Sequence, residues 1–119
     1  MDDAVERGAE FFLRHRLFRS ERSGRAFIGR QFAYPPYWHY DILTALRVFG
    51  RLGRLADPRV QEAIDIVEAK RGSDGLWCAD TVYWKRGKTA RPRDVAHWGH
   101  GSREMLTLNA LRVLKTAGR

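Results

Sequence analysis

Cysteine is almost missing from this chain: Cys78 stands alone in 119 residues, which excludes a disulfide within the chain. A reducing compartment follows as the expectation, with the cytoplasm as the default. Lysine is scarce too. Lys70, Lys85, Lys88 and Lys115 are the four among 22 cationic residues, and arginine supplies the others. Long apolar runs are lacking, and none approaches the roughly 20 residues a membrane-spanning helix needs. The opening MDDAVERGAEFF is acidic and then amphipathic, unlike a secretory signal. Long basic runs are also lacking, although the net charge is +8. A nucleic-acid footprint clusters on one face, so this scattered charge predicts no specific nucleic-acid partner.

The chain does have material for a core. Its 44% hydrophobic and 12% aromatic content suits one modest folded domain over residues 1–119. Apolar spacing predicts four helices. The first runs from about Asp3 to Phe18, with Val5, Ala9, Phe12 and Leu13 at helix spacing. The second starts at the prolines, where Pro36 suits a first turn, and continues to Phe49 before Gly50 and Gly53. The third opens at Asp57-Pro58, a cap followed by proline, and stops at the turn cluster Arg71 to Gly75. The fourth begins near Ser102, is apolar nearly all round, and ends at Gly118. Arg25 to Tyr34 reads as loop. Trp77 to Gly101 is polar and aromatic, with a short strand or packed loop at Val82 to Trp84.

The helices fall into two similar pairs. Ile42-Leu-Thr-Ala-Leu-Arg-Val-Phe49 aligns with Thr107-Leu-Asn-Ala-Leu-Arg-Val-Leu114. Upstream, Val5, Ala9, Phe12 and Arg16 align with Val60, Ile64, Val67 and Arg71. The two alignments differ in offset, and the difference falls in long loops that tolerate insertion. Each copy is an amphipathic helix, a loop and a more apolar helix. The copies span about 3–53 and about 57–118. An amphipathic helix can face water, whereas an apolar one needs cover on several sides. The expected fold is therefore all-α, with apolar helices in an inner layer and amphipathic ones outside.

Four stretches carry a resemblance: FFLRHRLFRSERSG, YPPYWHYDILTALRVF, DPRVQEAIDIVEAKRGSDGLW and TLNALRVLK. In this order they resemble the α/α-toroid superfamily of terpenoid cyclases and protein prenyltransferases, in particular the squalene-cyclase-like, prenyltransferase-repeat proteins of bacteria. Gly75 and Trp77 match the end of the Gln-x-x-x-Gly-x-Trp repeat motif, and Arg71 stands at the glutamine position. Arg71 is expected to reach a carbonyl or to stack on Trp77. The resemblance implies a ring of helix pairs, of which two pairs make an incomplete part, such as the C-terminal part of a longer protein. Upstream pairs or self-association would then complete it, since uncovered apolar flanks favour association. The Asp-x-Asp-Asp acid motif of squalene–hopene cyclases is absent.

Candidate chemistry centres on Tyr34 to Asp41. The resemblance implies an isoprenoid ligand. Asp41, with His39, would serve as a proton donor if burial raised its pKa. Tyr34, Tyr37, Trp38, Tyr40, Trp77 and Trp98 would offer aromatic faces to a substrate or carbocation. The structural alternative places Asp41 in the first helical turn, favouring the helix dipole. For the tryptophans Trp77, Trp84 and Trp98 the alternative is pinning a long loop to the helices. Cys78, Asp80, His97 and His100 match the residue types of a prenyltransferase zinc site. Their order is reversed, with cysteine before aspartate, so a buried apolar cysteine and surface histidines are expected, with no metal and no cofactor. The basic stretch Lys85 to Arg93 reads as a solvated face. Two functions stay open: a toroid enzyme binding an isoprenoid in an aromatic-lined cavity, or a non-catalytic α/α repeat module for protein interaction or oligomerisation. A flat, packed interior favours the module.

Overall fold

The structure is a computed structural model that describes residues 2–26, 30–34, 40–82 and 103–119. Within them the chain forms four α-helices: α1 (Asp3–Arg14), α2 (Ile42–Arg51), α3 (Gln61–Ala69) and α4 (Arg103–Thr116). The fold is all-α. The extended elements are two-residue strands, β1 (Ala33–Tyr34) and β2 (Thr81–Val82), which pair in parallel. They lie at the edges of the two long loops, so β1 falls in a stretch whose sequence has no period.

Local chemistry sets each helix end. Asp2 caps α1 by accepting from the Ala4 N–H at 3.1 Å, and Asp3 and Glu6 sit in the first turn where the dipole favours anions. The helix ends at Arg14, short of the expected Phe18. The Leu17 N–H donates to the Phe12 carbonyl and the Arg16 N–H to the Leu13 carbonyl, the paired bonds of a Schellman closure. That closure puts Arg16 at φ 47 and Leu17 at φ 70, so apolar spacing continues where the helix does not. In α2 the same closure runs from Arg54 to Phe49 and from Gly53 to Gly50. In α4 it runs from Arg119 to Leu114 and from Gly118 to Lys115. Gly53 and Gly118 hold the left-handed position at φ 70 and 79, which costs glycine nothing. The two glycines keep the same spacing to their Ala-Leu-Arg-Val segments, extending the internal similarity to the helix stops.

The start of α2 departs from expectation. Tyr40 and Asp41 are not helical, and the helix opens at Ile42 rather than at the prolines. Asp41 has an extended backbone and accepts the Thr44 N–H at 2.7 Å, so it is the N-cap and not a first-turn residue. α3 is entered as expected: Asp57 caps a 3₁₀ turn over Pro58–Val60 that leads directly into the helix.

One core joins the helices. Ile42, Leu46 and Phe49 of α2 meet Ile64 and Val67 of α3 and Ala110 and Val113 of α4, with Leu13, Leu17 and Phe18 from the first unit and Trp77 from the loop. α2 packs mainly on α4, and α3 packs on both. The C-terminal halves of α2 and α4 line one groove, and Gly50 faces Thr116, so the two helices run in the same direction. Arg119, just past α4, pairs with Asp65 and Glu68 of α3. Trp77 joins the end of α3 to the first half of α4. Ion pairs from Arg54 to Glu6 and from Arg59 to Glu10 tie α1 to the turn before α3. Among the described residues, no helix is long and apolar enough to cross a membrane.

Candidate functional site

Asp41 is buried between Tyr40 and the first turn of α2. Its Oδ1 atom satisfies the Thr44 N–H, one of the donors a helix start leaves without a backbone partner. Tyr40 stacks on Phe12 with ring centroids 6.0 Å apart, and its hydroxyl donates to the Leu17 carbonyl. Burial pushes the Tyr40 phenol well above its ordinary value, and the neighbouring Asp41 charge adds to that rise. The hydroxyl is therefore a fixed neutral donor. Phe11 extends this aromatic group by packing edge-on to Phe12 and stacking on His15 at 4.6 Å. Tyr34 belongs to β1, its backbone paired with Val82. Tyr37, Trp38, His39 and Trp98 lie outside the described residues, as do Trp84, His97, His100 and the stretch Lys85 to Arg93.

Trp77 has no exposed surface and belongs to the core. Its indole N–H donates to the Val67 carbonyl at 2.7 Å, and its backbone N–H donates to Thr107 Oγ1 at 3.0 Å. The turn before it closes on itself: the Gly72 N–H donates to the Leu76 carbonyl, and the Leu76 N–H to Asp74. The latter bond, with the Arg103 guanidinium beside it, holds the Asp74 carboxyl below the usual range, outweighing the opposing effect of burial. Arg71 does both things expected of it. Its Nε donates weakly to the Gly75 carbonyl at 3.4 Å, and its guanidinium lies over the Trp77 ring at 5.1 Å. Buried and bonded on both nitrogens, Trp77 pins the loop between α3 and α4.

Cys78 is exposed, which corrects the expectation of a buried apolar cysteine. Asp80 accepts the Phe32 N–H at 2.7 Å and the Lys70 ammonium at 2.9 Å, while its own N–H donates to the Phe32 carbonyl. Its carboxylate thereby clasps the two loops beside the β1–β2 pair. Among the described residues, no group of three or more His, Cys, Asp or Glu is placed to hold a metal.

The surface carries two features that composition did not reveal. The aligned helices α2 and α4 bury different faces. Leu43 and Leu46 of α2 are 2% and 0% exposed, yet their counterparts Leu108 and Leu111 of α4 are 45% and 41% exposed. The reverse holds for valine: Val48 is 50% exposed and its counterpart Val113 is 3%. Where α2 meets α4, Leu46 and Val113 line the same groove. Each helix thus buries the side that faces the other and leaves its opposite side open. Leu108 and Leu111 join Leu76 in lining an open groove of about 410 Å³.

The second feature is charge. The groove between α2 and α4 carries Arg47 and Arg51 on one wall and Arg112 and Lys115 on the other. Arg47 and Arg112 occupy equivalent places in the two copies of Ala-Leu-Arg-Val, so the repeat contained a signal for this groove. The groove itself does not follow from that signal, because exposure of a helix face depends on its neighbours. No protein-family model, curated protein or solved structure matches the chain.

Proposed function

We propose that this chain is a non-catalytic α/α repeat module that stacks, through its α2 and α4 edges, on further helix pairs of the same kind. The observation that carries the reading is the reciprocal exposure of Leu43/Leu46 against Leu108/Leu111 and of Val48 against Val113. A repeat array buries the same positions in every unit except at its ends, where they are left open. The two open edges are complementary to each other in the way that the buried α2 and α4 faces already are. Such an edge-to-edge contact is heterologous, and it propagates rather than closes as a two-fold dimer. Occupants are further units of the same kind, in the parent chain or in a second copy. The incomplete α/α-toroid expected from the resemblance is one arrangement such stacking produces.

Sedimentation of the chain and of two edge variants tests this. Wild type should associate as concentration rises, whereas Val48→Glu alone and Leu108→Glu/Leu111→Glu alone should be monomeric. An equimolar mixture of the two variants should recover dimers and nothing larger, because each supplies the edge that the other lacks. Self-association of either variant by itself, or a mixture that stays monomeric, refutes the edge-to-edge arrangement.

A second reading is an isoprenoid-binding protein with Asp41 as acid. It is favoured by the aromatic group of Phe11, Phe12 and Tyr40 beside Asp41, in which both phenylalanines are exposed. Against it, Asp41 is committed to the Thr44 N–H, and among the described residues neither of the two grooves above is lined by an aromatic side chain. Loss of cyclised product with Asp41→Asn, in a protein that still folds, would establish this reading.

A further inference from the structure

We propose that the groove between the C-terminal halves of α2 and α4 binds a compact polyphosphate anion. Two cationic side chains stand on each wall, Arg47 and Arg51 against Arg112 and Lys115, over an apolar floor that includes Leu46 and Val113. Among the described residues, no carboxylate lines the groove. α2 contains no acidic residue, and Glu104, the acidic residue of α4, lies in its first turn at the far end.

Several cations elsewhere are paired with carboxylates: Arg19 with Glu62, Arg54 with Glu6, Arg59 with Asp57 and Glu10, Lys70 with Asp80, Arg103 with Asp74 and Arg119 with Asp65 and Glu68. None of these ion pairs includes Arg47, Arg51, Arg112 or Lys115. Arg51 and Lys115 have a structural reason for their place, because cations in a last helical turn offset the negative end of the dipole. Arg47 and Arg112 stand a turn earlier and lack that reason.

The geometry selects the kind of anion. Arginine forks recognise phosphate oxygens bidentately. Cations on both walls favour an anion that carries several phosphate charges over a lone phosphate. The groove volume of about 340 Å³ lies at the lower end of small-molecule sites. Among the described residues, the N-terminal halves of α2 and α4 add no unpaired cation to the groove, since Arg103 is paired with Asp74 and Glu104 is acidic. An extended nucleic-acid backbone would need the field to continue.

The test is calorimetric titration of the full chain with sodium tripolyphosphate at low and at physiological salt. Arg47→Gln/Arg112→Gln should weaken binding roughly tenfold or more, as loss of two charge-assisted contacts implies. Arg7→Gln/Arg14→Gln, which removes the same charge from α1, should change it less than about twofold, as expected of a screened remote charge. Unchanged helical circular dichroism and melting confirm that both variants are folded. Equal weakening by the two pairs, or no binding by the folded wild type at either salt, overturns the proposal. Single-stranded RNA binding more tightly than tripolyphosphate, with equal sensitivity to both pairs, also overturns it, in favour of a diffuse nucleic-acid surface.

Discussion

Replacing Trp77 should unfasten the loop from two helices at once, and the size of the effect can be built from its contacts. The side chain is wholly buried, so Trp77→Ala removes a large apolar group and leaves a cavity, a change that costs about 3–5 kcal/mol. The indole bond to the Val67 carbonyl contributes about 1 kcal/mol of that. The Val67 carbonyl keeps the Lys70 N–H at 3.2 Å as a second partner, so it is not stranded. The Arg71 guanidinium over the ring adds about 0.5 kcal/mol, since Arg71 itself is exposed. Trp77→Phe keeps most of the apolar area and loses the hydrogen bond and some volume, so its cost should be about 1–2 kcal/mol. A domain of this length is stabilised by about 6–18 kcal/mol in total. Trp77→Ala should therefore lower the melting temperature by roughly 10–20 °C. Urea unfolding followed by helical circular dichroism reads both variants. A Trp77→Ala protein within about 1 kcal/mol of wild type would refute the pinning role. Equal costs for alanine and phenylalanine would refute the division between packing and hydrogen bond.

Asp41 offers a cleaner separation of structure from chemistry. Asp41→Ala should lose about 1–2 kcal/mol with the cap, while Asp41→Asn, a good cap itself, should lose well under 1 kcal/mol by the same urea assay. The Arg19 hydrogen bond and charge hold the Glu62 carboxyl below its ordinary value, outweighing the opposing effect of burial. A carboxyl lowered by folding stabilises the fold above its unfolded pKa, and that stabilisation is lost as pH falls through the folded value. Glu62→Gln should thus be less stable than wild type at neutral pH by no more than about 1 kcal/mol, given solvent screening of a partly exposed pair. The gap should close in acid and shrink in high salt; a gap that widens in acid contradicts the assignment.

The helix stripes were legible in the sequence because periodicity is local. Ala9 and Leu13, Ile42 and Leu46, Ile64 and Val67, and Ala110 and Leu114 all enter the core. The cap at Asp57 and the stops at Gly53 and Gly118 were equally readable, since each depends on one residue's own preference. Two helix ends were misplaced for a physical reason. Leu17 and Phe18 are core residues reached through a Schellman closure, and spacing alone does not separate buried helix from buried turn. Pro36 predicts an earlier start to the second helix, yet Asp41 caps α2 through Thr44 with an extended backbone. Trp77 was legible as part of a structural motif, but its complete burial depended on Val67 and Thr107, ten and thirty residues away.

By itself, the sequence determined an all-α chain of four amphipathic or apolar helices, their order and the internal likeness between the two pairs. These follow from side-chain periodicity and from the turn preferences of glycine, proline and aspartate, which act over a few residues. Only the tertiary structure decided which faces are covered. The same Ala-Leu-Arg-Val segment buries Leu46 and exposes Val48 in one copy, then exposes Leu111 and buries Val113 in the other. Burial is a property of neighbours. α2 has α4 on one side, and α4 has α2 on the opposite side, so identical residues become core or edge according to which helix lies beside them.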